Sequence, residues 1–568
     1  MQIQNTRLSP VSLAIAIALA LVAVSAHAQT APGIGEALRQ AQPPAVPSKS
    51  APTLPQVGTG QQIEAPMTAL PSGPTVDVKQ MDVIGNRVLD TATLVALVAE
   101  GAGKSLTLPE LEALAQRITK HYRAKGYFVA RAYIPAQEVA SGTIKIRVVE
   151  GNYGEFHLKN QSLVRDDIVQ GMLDDVKDAD IVSLDTLERA MLIINDTPGV
   201  QVTRADVMPG SKVGTSDFAV DTQATAPYSG YVLLDNYGSA YTGKNRVSFN
   251  ADANSVTGRG DKLSVSGLAT DTAGLLNGRL SYAKPLAANG LRGEVAVGST
   301  QYALGDTYKS LDAKGTAKTI DATVTYPVRR IRAQTMEVSV NVAYKDLLDK
   351  VESTHTHTPK TTRAITVGWM LRDESPLLGL DGLTRVSANL TFGELRINDA
   401  GALALDAAGA NTQGHYGKAT LSLSRVSLLP NGFSLTTSLN TQQALNKKNL
   451  DGSERMAVSG SSAVMAYPSG ELMGSNAVLA HIELARALPT WGALQSSWTL
   501  FSNWGQAKAA QPLVTDKTRS ISDVGVGWSA NYGKAMIKAS VAHRLESTAA
   551  TSEPTSRNKF LFQAGWVF

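Results

Sequence analysis

The stretch KFLFQAGWVF (559–568) carries the reading of the fold. Phe560, Phe562, Ala564, Trp566 and Phe568 share one parity, while Gln563, Gly565 and Val567 take the other. A period of two with large apolar groups on one side describes a strand with one greasy face. In water, such a strand is an aggregation-prone edge. In a closed barrel it is the last stave, sealed against the first strand.

The residues upstream favour the barrel. From Tyr228 onward helical periodicity disappears and one segment after another alternates. In RVSFNADAN (246–254), Val247, Phe249, Ala251 and Ala253 oppose Ser248, Asn250, Asp252 and Asn254. In MEVSVNVAY (336–344), Met336, Val338, Val340, Val342 and Tyr344 oppose Glu337, Ser339 and Asn341. In VLAHIELA (478–485), Val478, Ala480, Ile482 and Leu484 oppose His481 and Glu483. A large soluble β-sandwich also alternates. Three features weigh against it: segments of about ten residues, a polar face bearing charges and amides, and connections that alternate in length.

About sixteen strands are predicted, beginning near Tyr228, Val247, Leu263, Leu276, Arg292, Thr319, Gln334, Thr362, Thr384, Tyr416, Phe433, Leu479, Leu494, Ile521, Ala535 and Phe560. Short links such as TGRGD, LLPNG and NYGK follow most even strands. Long polar links follow later odd strands, among them LLDKVESTHTHTPK (347–360) and INDAGALALDAAGANTQGH (397–415). That asymmetry fits short periplasmic turns and long external loops. An even count places both ends of the barrel in the periplasm.

Composition narrows the class. The chain has 568 residues, enough for two to four domains. Its net charge of +4, with 18% charged residues and no basic block, argues against a nucleic-acid partner. The mean hydropathy of −0.07 is not that of a helical membrane protein. There is no cysteine, which excludes metal–thiolate sites, disulfides and a cysteine nucleophile.

The N-terminus reads as an export signal. Arg7 precedes an apolar run from Val11 to Val24, followed by Ala26-His27-Ala28. This is a secretory signal peptide over 1–28 with cleavage after Ala28. The run of about 14 residues is short for a span of about 20. The segment 29–42 contains a short amphipathic helix with Ile34, Leu38 and Ala41 on one side. Residues 43–75 are Pro-rich and without periodicity, so they read as a linker.

Two small α+β modules follow. In 76–150 a short strand precedes helical patterns carrying Leu94, Leu97 and Val98, then Leu111, Leu114, Ile118 and Tyr122. FVARAYIP and TIKIRVVEG close the unit as strands. Residues 151–222 repeat the order β-α-α-β-β. Barrel sequence then occupies 223–568, with a loop at 446–477.

Motifs for chemistry are weak. EGAGKS (100–105) lacks the first glycine of a phosphate-binding loop, because Val98 stands there. His355 and His357 have no third ligand nearby in sequence and read as a solvated loop. There is no G-x-S-x-G and no H-E-x-x-H. Nothing implies an enzyme, a cofactor or a metal.

Several stretches carry a family. HYRAKGYFVARAYIPAQEVASGTIKIRVVEGNYG (121–154) resembles the first POTRA domain of two-partner secretion transporters. LERAMLIINDTPGVQV (187–202) followed by PGSKVGTSDFAV (209–220) resembles their second. YSGYVLLDNYGSAYTGKNR (228–246) is similar to their first barrel strand, and LDGSERMAVSG (450–460) to the segment entering their long hairpin loop. The haemolysin and filamentous haemagglutinin secretion proteins are the relatives concerned. The resemblance spans essentially the whole chain after the signal. It implies a membrane all-β barrel of about sixteen antiparallel strands, two periplasmic POTRA domains, a plug helix carrying Ile34 and Leu38, and a hairpin folded into the lumen. It also implies an outer-membrane translocator that exports a large exoprotein, bearing an N-terminal secretion domain, without ATP. The remaining implied partners are outer-membrane lipids and, through terminal Trp566 and Phe568, the barrel-assembly machinery. The alternative functions are an assembly factor inserting other barrels, or a plugged, porin-like channel that has lost secretion.

One departure stands out. The family's hairpin tip reads Val-Arg-Gly-Tyr, whereas this chain has Val464, Met465, Ala466 and Tyr467. The family's arginine pairs with the aspartate of a Phe-x-Asp-x-Gly strand motif. Here that motif is Phe501, Asn503 and Gly505, with asparagine in place of the acid. Loss of both partners together reads as paired replacement, because a lone charge in a partly desolvated lumen costs several kcal/mol.

Overall fold

The computed structural model describes residues 31–42, 58–59, 74–139, 141–512, 518–547, 549–553 and 556–568. The predicted signal peptide, with Ala26 and Ala28, and most of the Pro-rich stretch lie outside the described residues.

The first module packs helices Thr91–Ala96 and Leu108–Ala124 on a three-stranded sheet. In that sheet Thr143–Val149 lies between Gln80–Ile84 and Arg131–Tyr133. The longer helix starts at a capping box in which Thr107 and Glu110 satisfy each other's backbone amides. Its Leu111, Leu114, Ile118 and Tyr122 are buried with Leu94, Ile144 and Ile146, as the helical spacing predicts. The second module repeats the plan with strands Asn152–Gln161, Gln201–Pro209 and Thr215–Gln223 and helices Asp166–Asp174 and Leu184–Asn195. Gly58–Thr59 adds a short parallel strand outside Gln201–Pro209.

The two modules share a junction. Glu150 accepts hydrogen bonds from the Arg87 amide (2.7 Å), the Val88 amide (2.9 Å) and the Tyr122 hydroxyl (2.8 Å). Burial, reinforced by that carboxylate, pushes the Tyr122 phenol well above its ordinary value. Phe128 and Val129 of the first module pack against the core of the second.

Sixteen strands close into an antiparallel barrel. They are β1 (Tyr228–Asp235), β2 (Arg246–Asn254), β3 (Lys262–Thr270), β4 (Leu275–Pro285), β5 (Arg292–Ala303), β6 (Ala313–Arg330), β7 (Gln334–Val351) and β8 (Thr356–Asp373). The second half comprises β9 (Gly382–Ile397), β10 (Gly414–Leu429), β11 (Phe433–Ala444), β12 (Asn476–Ala487), β13 (Leu494–Lys508), β14 (Arg519–Tyr532), β15 (Ala535–Arg544) and β16 (Asn558–Val567). β16 pairs β1 from Tyr231↔Val567 to Asp235↔Gln563. Phe568 and Gly230 exchange two further backbone hydrogen bonds of 2.9 and 3.0 Å. Phe560, Phe562, Trp566 and Phe568 point outward and are exposed, so the greasy face of the terminal strand is a lipid face.

Most strand starts fall within a residue or two of expectation, but β6 and β8 begin six residues earlier. The stretch 347–360 is therefore a tall hairpin rather than a long loop: β7 runs to Val351, one turn covers Glu352–Thr354, and β8 starts at Thr356. His355 sits in that turn and His357 on β8. Among the described residues no group of three or more candidate metal ligands occurs. β6, β7 and β8 are 18 residues each, roughly 60 Å along the strand at about 3.4 Å per residue. Even with the tilt of barrel strands this exceeds an apolar band about 25 Å tall, so the wall rises well above the membrane on this side.

The second module docks on the turns that follow even strands. Arg189 donates to Pro327 O (2.9 Å), Arg330 holds Asp196 with bonds of 2.7 and 2.8 Å, and the Arg165 amide donates to Gly258 O (2.9 Å). These contacts fix the even turns as the module-facing end of the barrel.

Candidate functional site: the filled lumen

Helix α1 (Ile34–Gln40) lies inside the barrel. Its first amide, that of Ile34, donates to Asp349 Oδ1 on β7 (2.8 Å), and Arg246 Nη1 on β2 donates to the carbonyl of its last residue, Gln40 (2.6 Å). A carboxylate thus faces the positive end of the helix dipole and a guanidinium the negative end. Arg246 is itself oriented by Asp235 at 2.7 Å. The Gln40 side chain bonds Thr242 and Tyr241 of the β1–β2 loop. Ile34 and Ala37 are buried with Tyr241, Leu275, Tyr302 and Leu347, and Leu38 packs half-buried against that cluster. Gly35 permits close approach: a Cβ there would lie 2.3 Å from the Gly452 carbonyl carbon. Arg39 donates to Gly452 O (2.6 Å) and pairs Glu36 (2.9 Å).

Gly452 belongs to the long β11–β12 loop, which turns back into the lumen. Wall lysines staple its base. Lys345 and Lys418 reach Glu454 at 2.6 and 2.8 Å, and Lys360 reaches Asp451 at 3.0 Å. Glu471, on the returning arm, bonds Arg519 and accepts from the amides of Thr551 (2.9 Å) and Ser552 (2.7 Å) in the β15–β16 loop.

The tip, Val464-Met465-Ala466-Tyr467, rests on the wall formed by β12 to β16. Four polar residues stand directly opposite one another across adjacent strands: His481 on β12, Asn503 on β13, Asp523 on β14 and Arg544 on β15. Asn503 Oδ1 accepts from His481 Nδ1 (2.7 Å), and the Asn503 side-chain NH2 donates to Asp523 Oδ1 (2.7 Å). The other carboxylate oxygen of Asp523 accepts the Ala466 amide at 2.8 Å. Tyr467 is fully buried; its hydroxyl donates to Glu546 (2.9 Å), its ring lies under the Arg544 guanidinium (5.1 Å), and its carbonyl accepts from Lys559 (3.2 Å).

The lumen therefore brings together the residues singled out for the plug, the hairpin tip and its wall partner, while Trp566 and Phe568 face outward. Val464, Ala466 and Tyr467 are buried with Phe501, and Met465 packs half-buried on the same cluster. Gly505 faces the hairpin arm, where a Cβ would lie 2.8 Å from Val458 Cβ. Asn503 engages Asp523 and His481. Asp523, Arg544 and Glu546 were not singled out by sequence reasoning. The available signal was an acid at a lumen-facing parity in SISDVGVGW (520–528), where an ionisable group inside a membrane strand points to a site. Residues 1–30, including the cleavage positions, lie outside the described residues.

A sixteen-stranded barrel whose lumen holds a helix and a hairpin, carried on α+β modules, defines an outer-membrane transporter with its POTRA region in the periplasm. Residues 214–530 match the family model described as haemolysin secretion/activation protein ShlB/FhaC/HecB, and residues 76–151 match the ShlB-type POTRA domain. The chain belongs to the haemolysin secretion/activation protein family and is an outer-membrane transporter of two-partner secretion. It is 28% identical over 497 residues to the heme/hemopexin transporter protein HuxB of Haemophilus influenzae (strain Rd), covering 86% of this chain and 87% of HuxB. It is 23% identical over 206 residues to the outer membrane transporter CdiB of Dickeya dadantii, 36% of each chain. The solved structure of CdiB from Escherichia coli shares the fold along the full length of both chains, with a TM-score of 0.72 at 17% identity.

Proposed function

We propose that this transporter captures one unfolded exoprotein through its two POTRA modules and passes it through the barrel without ATP, α1 leaving the lumen as the cargo enters. The protein acts as a conduit rather than an enzyme. The observation that carries this reading is the way α1 is held. Its anchors are hydrogen bonds and charge–dipole contacts at the two helix ends, each worth roughly 0.5–1.5 kcal/mol net, and the Pro-rich stretch between it and the first module gives it a tether. Sheet edges in the modules suit capture of an extended chain by strand addition. The cargo is a large secreted protein with an N-terminal secretion domain. The outward aromatic face ending in Trp566 and Phe568 serves as the segment read by the barrel-assembly machinery.

HuxB is by name a heme/hemopexin transporter, so an exoprotein serving haem acquisition is the first cargo to try. The test is to express the large exoprotein encoded beside this chain with and without the transporter and follow it in medium and periplasm. Cargo reaching the medium only with the transporter supports the reading. Cargo held in the periplasm behind a correctly inserted barrel contradicts it.

A further inference from the structure

The outer wall of β6–β10 carries a groove that the export pathway does not use. It has a volume of about 890 Å³ and an apolar floor of Val342, Ile365 and Phe392. These three stand in one row across β7, β8 and β9, and the row ends at Gly417 on β10. Gly417 keeps the floor open, since a Cβ there would lie 3.2 Å from Leu445 Cδ1 and 3.5 Å from Phe392 Cδ1.

The next row toward the external loops reads Ile320, Tyr344, Arg363, Glu394 and His415 on successive strands. Its parity is that of the lipid face, on which its own Ile320 and Tyr344 are exposed. Arg363 is exposed, lies over the Tyr344 ring at 5.9 Å, and among the described residues has no carboxylate within ion-pair distance. Glu394 is already paired, to Arg396 at 3.0 Å. Lys448 lines the same groove from the start of the long loop. In the row above, Lys318 stands opposite Asp346, so those charges offset each other. The net result is a cationic lip of Arg363 on β8 and Lys448 in the loop after β11, with His415 on β10, beside a greasy trough. Arg363 on β8 and His415 on β10 stand two strands apart, roughly 10 Å.

This lip lies on the external-loop side of the apolar row. We propose that the groove is a binding site for a bisphosphorylated glycolipid of the outer leaflet, its acyl chains along Val342, Ile365 and Phe392 and its phosphates on Arg363 and Lys448. Two separated cationic positions suit two phosphates better than one. Glu394, opposite Arg363, offsets part of this charge but is hydrogen-bonded to Arg396, so Arg363, Arg396 and Lys448 leave an excess of cation that an anionic headgroup complements and a neutral lipid does not.

The test needs no cargo, so it stands or falls apart from the export reading. The full chain, purified in detergent, is titrated in native mass spectrometry with bisphosphorylated lipid A, with the same lipid stripped of phosphate, and with phosphatidylglycerol. Retention of bisphosphorylated lipid A well above the other two is expected. The double variant Arg363→Ser/Lys448→Ser is expected to bind it about 25-fold more weakly, from roughly fivefold per cation at a charged lipid surface. Lys212→Ser, on the second periplasmic module, is expected to leave binding unchanged. Heat-modifiable migration checks that each barrel is folded, and Arg363→Ser alone keeps the test available if the double variant is not. Equal binding by wild type and folded variants overturns the site, as does equal binding of the phosphate-free lipid. Phosphatidylglycerol bound as tightly as lipid A overturns the assignment to a bisphosphorylated glycolipid.

Discussion

Helix α1 and the hairpin occupy the same lumen but are held differently. α1 is seven residues long, touches the wall through hydrogen bonds at its two ends and one apolar stripe, and continues into a long Pro-rich stretch. The hairpin is tied covalently to β11 and β12, stapled at its base by Lys345, Lys360 and Lys418, and buried at its tip around Tyr467. Releasing α1 frees end hydrogen bonds and the small apolar side chains of Ile34 and Ala37 and leaves the Arg246–Asp235 pair intact, whereas releasing the hairpin tip extracts a buried aromatic and unpairs a buried carboxylate. On the proposed function, this is the difference between a removable plug and a fixed gate.

The most damaging way to break the comparison is at the tip. Tyr467→Ala removes a fully buried ring beneath Arg544 and is expected to cost about 3–5 kcal/mol locally, read as new protease cleavage within 446–475 and loss of secretion. Asp523→Ala strands the Ala466 amide and the Asn503 side chain. At about 1.5–3 kcal/mol for each hydrogen bond to a charged group, it is expected to loosen the tip nearly as much, with the same readout. If either variant keeps a protease-resistant hairpin and exports normally, the hairpin is not a fixed gate.

A reciprocal swap sharpens the reading of the tip. Met465→Arg alone is expected to lower secretion, and Asn503→Asp added to it to restore part of the loss, because the new guanidinium then has a carboxylate on each of β13 and β14. A double variant no better than the single contradicts paired replacement. The plug responds to smaller changes. Gly35→Ala pushes a methyl into the Gly452 backbone and is expected to displace α1 at a cost of about 1–3 kcal/mol, raising conductance in planar bilayers while the hairpin stays protease-resistant. Asp349→Asn removes only the charge at the helix N-terminus, about 0.3–1 kcal/mol, and is expected to raise the frequency of brief openings.

Much of this was legible in the sequence because a barrel strand writes its two environments at alternate positions. Val338, Val340 and Val342 announce the lipid face of β7, and its start at Gln334 was predicted directly. The extensions of β6 and β8 escape the sequence reading because neither carries a greasy face there: in AKGTAK (313–318) Lys314, Thr316 and Lys318 alternate only with the small residues Ala313, Gly315 and Ala317, and THTPKT (356–361) is polar on both parities. The sequence marks Val464–Tyr467 by their resemblance to a hairpin tip, but not what holds them. His481, Asn503, Asp523 and Arg544 become a row only once the register of four strands is set, and register is a property of the closed barrel rather than of any one segment. Glu546 lies in a loop that folds inward to reach Tyr467, a contact between residues 79 positions apart.

The removable plug is tested most directly by locking it. The chain has no cysteine, so an introduced pair reports without background. A Cβ built on Gly33 lies 3.3 Å from Asp349 Oδ1 and 3.6 Å from its Cγ, within reach of a disulfide in Gly33→Cys/Asp349→Cys. Secretion of the cognate exoprotein is then followed with the bond closed and after reduction. No export from the oxidised transporter, recovering on reduction, is the predicted result. Export at the same rate in both states would contradict it, because cargo would then be passing with α1 still in the lumen.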